Sequence, residues 1–69
     1  MDIFDLVGAT VRVKLFEGET LDVIVQETDL EFDQFWGKLT EGASIKHIGF
    51  IPAGQVRLFS VGSIQEVLE

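Results

Sequence analysis

The chain has 69 residues, no cysteine, one histidine and a formal net charge of −7 from 12 acidic and 5 basic side chains. This length predicts one small domain, the composition excludes disulfides and thiolate or histidine-rich metal sites, and the charge disfavours non-specific binding to nucleic-acid phosphates. No apolar run approaches the roughly 18 residues that span a bilayer, and an acid at Asp2 is not typical of a secretory signal. We therefore expect a cytoplasmic protein without cofactor or metal. Because so small a core is marginal, oligomerisation is its expected source of further stability.

A short helix is predicted at the start of the chain. In residues 1–7, apolar side chains recur at spacings of three and four, which is typical of one or two helical turns. Asp2 is placed to cap this helix, and Gly8 to end it.

Two strands joined by a tight turn follow the helix. Residues 9–16 and residues 20–26 each alternate apolar and polar side chains, which is the pattern of a strand buried on one face. Gly18 lies between the two strands and can adopt the positive φ that a short connection requires. This hairpin predicts that Arg12 or Lys14 lies across from Asp22 and forms a surface ion pair.

Three more strands are predicted at residues 32–40, 44–51 and 55–61. The first two contain a glycine, Gly37 and Gly49, which permits a bend or bulge. A Pro-Ala-Gly turn separates the last two. The adjacent aromatic residues Phe35 and Trp36 must point to opposite sides of their strand, so one is expected inside and one outside. Residues 63–66 match a capping box, which favours a terminal helical turn over a continued strand.

These elements predict an all-β fold in which a short N-terminal helix precedes five strongly bent strands. Because closure removes exposed strand edges, a small closed barrel is favoured over an open sheet. The pattern of elements alone leaves the SH3-like, OB-fold and Sm-like barrels open.

Two stretches of the chain resemble the motifs of Sm and LSm proteins. The first family motif starts with leucine, a hydrophobic residue and glycine, continues through a V-x-V-x-L strand and a turn glycine, and reaches an aspartate. The matching residues here are Leu6, Val7, Gly8, Val11, Val13, Leu15, Gly18, Leu21 and Asp29. The second motif is matched to residues 51–59. With its short middle segment, the chain resembles the compact Sm-like proteins of bacteria and phages more than the longer eukaryotic ones.

The resemblance implies an Sm-like (SH3-like) barrel that assembles into a homo-oligomeric ring of about five to seven subunits. In Sm rings the fourth strand of one subunit pairs with the fifth strand of the next. Here this implies pairing between residues 44–51 and residues 55–61 of a neighbour. The interface residues expected from this pairing are Ile45, Ile48, Phe50, Val56, Leu58 and Phe59.

The resemblance also implies a site for single-stranded RNA near the pore of the ring. Asp29, Phe32 and Asp33 are the expected binding residues, with help from Arg57. In the family, the base stacks on the residue that precedes the asparagine of the first motif, while that asparagine and the arginine of the second motif hold the nucleotide.

The chain departs from the family motifs at five residues in three places. Val23 stands where the second strand usually has a glycine, Phe32-Asp33 replaces a Met-Asn pair, and Pro52-Ala53 replaces an Arg-Gly pair. Two functions therefore remain open. One is a ring-forming module that binds RNA, and the other is a ring scaffold that has lost the nucleotide site and binds other proteins.

The predicted site residues also have simpler interpretations. Asp29 can form an Asx turn, and Phe32 either stacks on a base or fills the core. Together with Glu31 and Asp33, Asp29 forms an acidic cluster, for which a solvated loop is favoured over a divalent-cation site. His47 is interpreted as a surface or structural residue rather than part of a basic patch. Since no catalytic set or phosphate-binding loop is present, we predict that the protein is not an enzyme.

Overall fold

The computed structural model describes residues 3–69, and the predicted all-β class is confirmed. In chain order, the elements are a 3₁₀ helix at Ile3–Leu6, β1 at Thr10–Lys14, β2 at Thr20–Asp29, β3 at Gln34–Leu39, β4 at Ala43–Ile45, β5 at Gly49–Ile51, β6 at Val56–Ser60, a second 3₁₀ helix at Val61–Ser63 and β7 at Ile64–Val67. The first 3₁₀ helix lies where the N-terminal helix was predicted, and its expected cap, Asp2, lies outside the described residues. Within residues 3–69, no helix has the length and apolar character that crossing a membrane requires.

Five strands form one antiparallel sheet in the order β6-β3-β2-β1-β7, here called the main sheet. The ten-residue β2 is its centre, and a register shift between Val25 and Glu27 bends it where it pairs with β3. β6 and β7 end the strand order, and no pairing joins them within the described part of the chain. The predicted closed barrel is therefore not confirmed, and the main sheet has two free edges.

The predicted strand at residues 44–51 is interrupted by a turn. His47 and Gly49 both have positive φ values, of 71° and 104°, and the Ile48 N–H donates to the Ile45 carbonyl at 3.1 Å. The chain reverses there, so β4 and β5 pair with each other in a separate two-stranded unit, called the small hairpin. The prediction of one continuous strand was wrong because an apolar run does not reveal a left-handed residue in its middle.

The predicted terminal helical turn is a strand instead. Ser60 caps only the short second 3₁₀ helix, and the chain then continues as β7, whose Val67 and Ile64 lie opposite Val11 and Val13 of β1. Backbone pairing with β1 outweighs the local helical signals, which were the capping box and the common helical face of Ile64, Val67 and Leu68.

The hydrophobic core is formed by side chains from one face of the main sheet together with side chains of the small hairpin. Its buried residues are Ile3, Val11, Val13, Leu21, Val23, Val25, Phe35, Leu39, Ile45, Ile51 and Phe59. Phe35 is fully buried whereas Trp36 is exposed, which confirms that the two rings point to opposite sides of β3. We call the core side of the main sheet its inner face and the other side its outer face.

An ion-pair network on the outer face ties three strands together. The predicted pairing with Asp22 is confirmed for Arg12, whose Nε donates to Asp22 Oδ1 at 2.9 Å and whose Nη2 donates to Asp22 Oδ2 at 3.3 Å. Arg12 Nη1 also donates to Glu66 Oε1 at 3.0 Å. The hydrogen bond to Asp22 is the main cause that raises the pKa of Arg12 above its ordinary value. Because Glu66 belongs to β7, the network helps to hold this edge strand on β1.

Candidate functional site

The turn between β2 and β3 brings together three of the four residues predicted to bind RNA. Asp29 ends β2 and pairs with Gln34 of β3, while Phe32 and Asp33 lie in the turn between them. Phe32 is 66% exposed, so it is not a core residue. Its ring is therefore accessible to a ligand that can stack on it.

Backbone geometry fixes the position of this turn. Asp33 has a φ of 56°, in the left-handed region, which aspartate adopts more readily than most residues with a side chain. Its carbonyl accepts a hydrogen bond of 3.0 Å from the N–H of Val61. The β2–β3 turn is thus joined to the second 3₁₀ helix.

Two serines hold the second 3₁₀ helix in place. Ser60 Oγ accepts a hydrogen bond from the Gly62 N–H at 3.2 Å, and Ser63 Oγ donates to the Ser60 carbonyl at 2.6 Å. We refer to residues 29–33 and Val61–Ser63 together as the turn site. The sequence did not indicate that Val61–Ser63 belong to this site, because the second Sm motif was matched to residues 51–59 and ends before them. The available signal was the Ser-x-x-Ser spacing, which is typical of a side-chain-closed turn.

Arg57 does not belong to the turn site. It lies opposite Gly37 on β6, four positions before Val61. At ~3.3 Å per residue, this places its backbone roughly 13 Å from the Val61–Asp33 hydrogen bond. Arg57 instead borders a small apolar cavity of ≈ 160 Å³ between the small hairpin and β6.

The chemistry of the turn site is aromatic and acidic. Residues 29–33 contribute one exposed phenyl ring and three carboxylates, and neither segment contains a basic side chain. A ring can stack on a base and carboxylates can accept hydrogen bonds from base amino groups, but the same carboxylates repel phosphates. Asp29, Glu31 and Asp33 do not converge on one point: among the described residues, no group of three acidic or histidine side chains is arranged to hold a metal ion.

The six residues predicted at the subunit interface fall into three places. Ile45 and Phe59 are buried in the core of the chain itself. Ile48 and Phe50 are exposed on the small hairpin, whereas Val56 and Leu58 are exposed on β6. Two of the six thus combine exposure with a position on a free edge of the main sheet.

Comparison with known proteins found no relative of this chain. No protein-family model matches the chain, and neither a curated protein nor a solved structure gives a match.

Proposed function

We propose that this chain is an Sm-like, self-associating module whose copies join edge to edge into a ring. The observation that carries this proposal is the pair of free edges, β6 and β7, at opposite ends of the main sheet. In Sm rings the fourth strand of one subunit pairs with the fifth strand of the next. When the strands of the main sheet are counted along the chain, β6 is the fourth and β7 is the fifth.

The side chains on the two edges support self-association. Val56 and Leu58 on β6 are 44% and 43% exposed, and Val67 on β7 is 45% exposed. Monomeric β proteins usually protect their edges with charges, prolines or bulges, because an apolar free edge invites pairing with another chain. Pairing β6 with the β7 of another copy is head-to-tail, so the assembly either closes into a ring or grows as a filament.

Edge substitutions test this assembly. Leu58→Asp and Val67→Asp each place a charge on one free edge, and we expect both to reduce the native mass measured by light scattering towards that of one chain. Leu30→Asp is the matched control, since Leu30 is an exposed apolar residue in the β2–β3 turn and belongs to neither edge strand. Phe59 is unsuitable for this test because it belongs to the core. If both edge variants kept the wild-type mass while circular dichroism showed intact folding, edge-to-edge assembly would be wrong.

A second candidate function is binding of single-stranded RNA at the turn site. The exposed ring of Phe32 favours it, because an aromatic ring held outside the core on a hydrogen-bonded turn is a stacking platform. The net charge of −7 and the acidic turn site favour the alternative, a scaffold ring that binds other proteins.

RNA titrations separate the two candidates. Fluorescence anisotropy with short U-rich and A-rich RNA at roughly 0.1 M salt would report binding, and stacking worth ~1–3 kcal/mol per base predicts that Phe32→Ala weakens it roughly 5- to 150-fold. Phe16→Ala is the matched control, because Phe16 is also an exposed phenylalanine but lies in the β1–β2 turn at the other end of β2. Absence of binding at high protein concentration would leave the protein-binding scaffold. Equal loss of binding in both variants would show that RNA is not held at the turn site.

A further inference from the structure

A groove of ≈ 440 Å³ lies between the first 3₁₀ helix and the second half of β2, and we call it the helix groove. Its lining residues are Phe4, Val7, Gln26, Glu27 and Thr28. The two apolar members, Phe4 and Val7, are 62% and 49% exposed, so one wall of the groove presents apolar surface to solvent. An apolar patch rimmed by polar residues is typical of an interaction site.

The spacing of apolar residues in the helix explains this exposed wall. A 3₁₀ helix has three residues per turn, so residues three apart share a face. Ile3 is buried in the core and Leu6 packs against it, which fixes the inward face of the helix. Phe4 and Val7 share the neighbouring face, and the Val7 N–H donates to the Phe4 carbonyl at 3.4 Å. The helix is therefore held by one apolar pair and presents another.

Backbone hydrogen bonds fix the helix against the strand wall of the groove. The Gly8 N–H donates to the Val25 carbonyl at 2.8 Å, and the Val25 N–H donates to the Ala9 carbonyl at 2.9 Å. Immediately after Val25, the register shift leaves Gln26 without a partner position on β3. Bulges of this kind are common beside binding sites, because they redirect side chains out of the regular sheet. The groove is thus formed before any partner binds.

The charge around the helix groove is negative throughout. Residues 3–9 and 26–33 carry five carboxylates and no basic side chain. In the part of the chain that the structure describes, none of these five carboxylates forms an ion pair. By contrast, Asp22 and Glu66 are both bound to Arg12. The helix groove therefore combines apolar surface with negative charge that no cation of the described chain neutralises.

We propose that the helix groove binds a basic, amphipathic segment of another protein. The apolar side chains of that segment cover Phe4 and Val7, and its lysine or arginine side chains face Glu27 and the acids that follow it. The negative rim attracts such a segment and repels phosphate-bearing ligands. The groove uses neither edge strand, so this site is additional to the edge-to-edge contact and does not require it.

The positions of the acids also define the spacing of the partner's cations. Glu27 and Asp29 lie opposite Trp36 and Gln34, two positions apart on β2, and therefore share one face of the strand. At ~3.3 Å per residue, their Cα atoms are about 7 Å apart. Basic residues two apart on an extended segment match this spacing, as do basic residues one turn apart on a helix, whose Cβ atoms are about 5–6 Å apart.

Peptide titrations test the proposal. The probe is a fluorescein-labelled peptide of roughly 14 residues, or four helical turns, composed of lysine and leucine with the leucines on one face. Fluorescence anisotropy at roughly 0.05 M salt should show saturable binding that weakens as salt is added. A glutamate-leucine peptide of the same pattern and an oligolysine of the same length should each bind at least about tenfold more weakly, since each lacks one of the two features.

Variants of the groove locate the binding. Phe4→Ser and Val7→Ser reduce the apolar wall and should each weaken binding roughly tenfold. Glu27→Lys reverses one rim charge and should weaken it roughly 3- to 10-fold, with a smaller effect at high salt. Phe16→Ser and Glu41→Lys are the matched controls, because both residues are exposed and lie outside the groove. Both should bind within about twofold of the wild type.

Four results would overturn the proposal. They are groove variants that bind as their controls do while circular dichroism shows intact folding, oligolysine that binds as tightly as the lysine-leucine peptide, displacement of the peptide by short RNA, and a native mass that falls in Phe4→Ser without peptide. The last would assign the groove to a second copy of the chain. The edge variant Leu58→Asp should bind the peptide as the wild type does, so a wild type found to be monomeric would contradict edge-to-edge assembly and leave this test intact.

Discussion

Gly37 is the residue at which the core leaves no room for a side chain. A Cβ atom there would lie 2.7 Å from Val23 Cγ2 and 3.1 Å from Phe59 Cδ2. Val23 is a buried, β-branched residue with little rotamer freedom, so it cannot move aside at low cost. The sequence predicted a bend or bulge at Gly37, and the register shift between β2 and β3 does lie beside it. The structure adds the close approach of β3 to β2 and β6 at this residue. The sequence could not reveal this because all three packing residues come from different strands.

Replacing Gly37 should therefore destabilise the fold. Gly37→Ala overpacks the contact with Val23 and Phe59, and we expect the free energy of unfolding to fall by about 1–3 kcal/mol, with a melting temperature lower by several degrees. Thermal unfolding at one fixed protein concentration measures the change. Gly62→Ala is the control, since its Cβ would meet only Ser60 Oγ, at an ordinary 3.6 Å. Equal stability of Gly37→Ala and the wild type would contradict the packing described here.

β7 is the element whose structure depends most on distant residues. The strands β1 and β2 were predicted because alternation and a glycine turn are local signals. β7 has no such signal: its four residues, Ile64–Val67, overlap a capping box, and β1 and the Arg12–Glu66 ion pair hold it as a strand. The turn site shows the same limit, since the hydrogen bond between Asp33 and Val61 joins segments that no motif connected.

Removing the outer-face ion pairs should loosen β7 in particular. Arg12→Met keeps much of the apolar stem of the side chain but removes the hydrogen bonds to Asp22 and Glu66. We expect faster amide hydrogen exchange in β7 with little change in the β2–β3 pairing, as well as a lower melting temperature. Lys14→Met is the control, because Lys14 lies on the same strand and face and makes neither of these hydrogen bonds. If β7 amides exchanged equally slowly in both variants, the network would not be what holds this strand.

At the scale of the whole molecule, the sequence indicated the strand content but not which strands lie at the edges. The apolar run at residues 44–51 was assigned to the assembly, yet His47 and Gly49 turn it into the small hairpin. The edges belong to β6 and β7, which became visible only once the strand order was known. Arg57 likewise lies on an edge strand of the main sheet and not at the expected RNA site.

The native mass of the purified wild-type protein tests the central claim most directly. Edge-to-edge closure predicts one discrete species, about five to seven times the 7.7 kDa of a single chain, whose mass is constant over a wide concentration range. Light scattering coupled to size-exclusion chromatography gives this value without assuming a shape. A mass of one chain at every concentration would contradict the account, because β6 and β7 would then remain unpaired in solution.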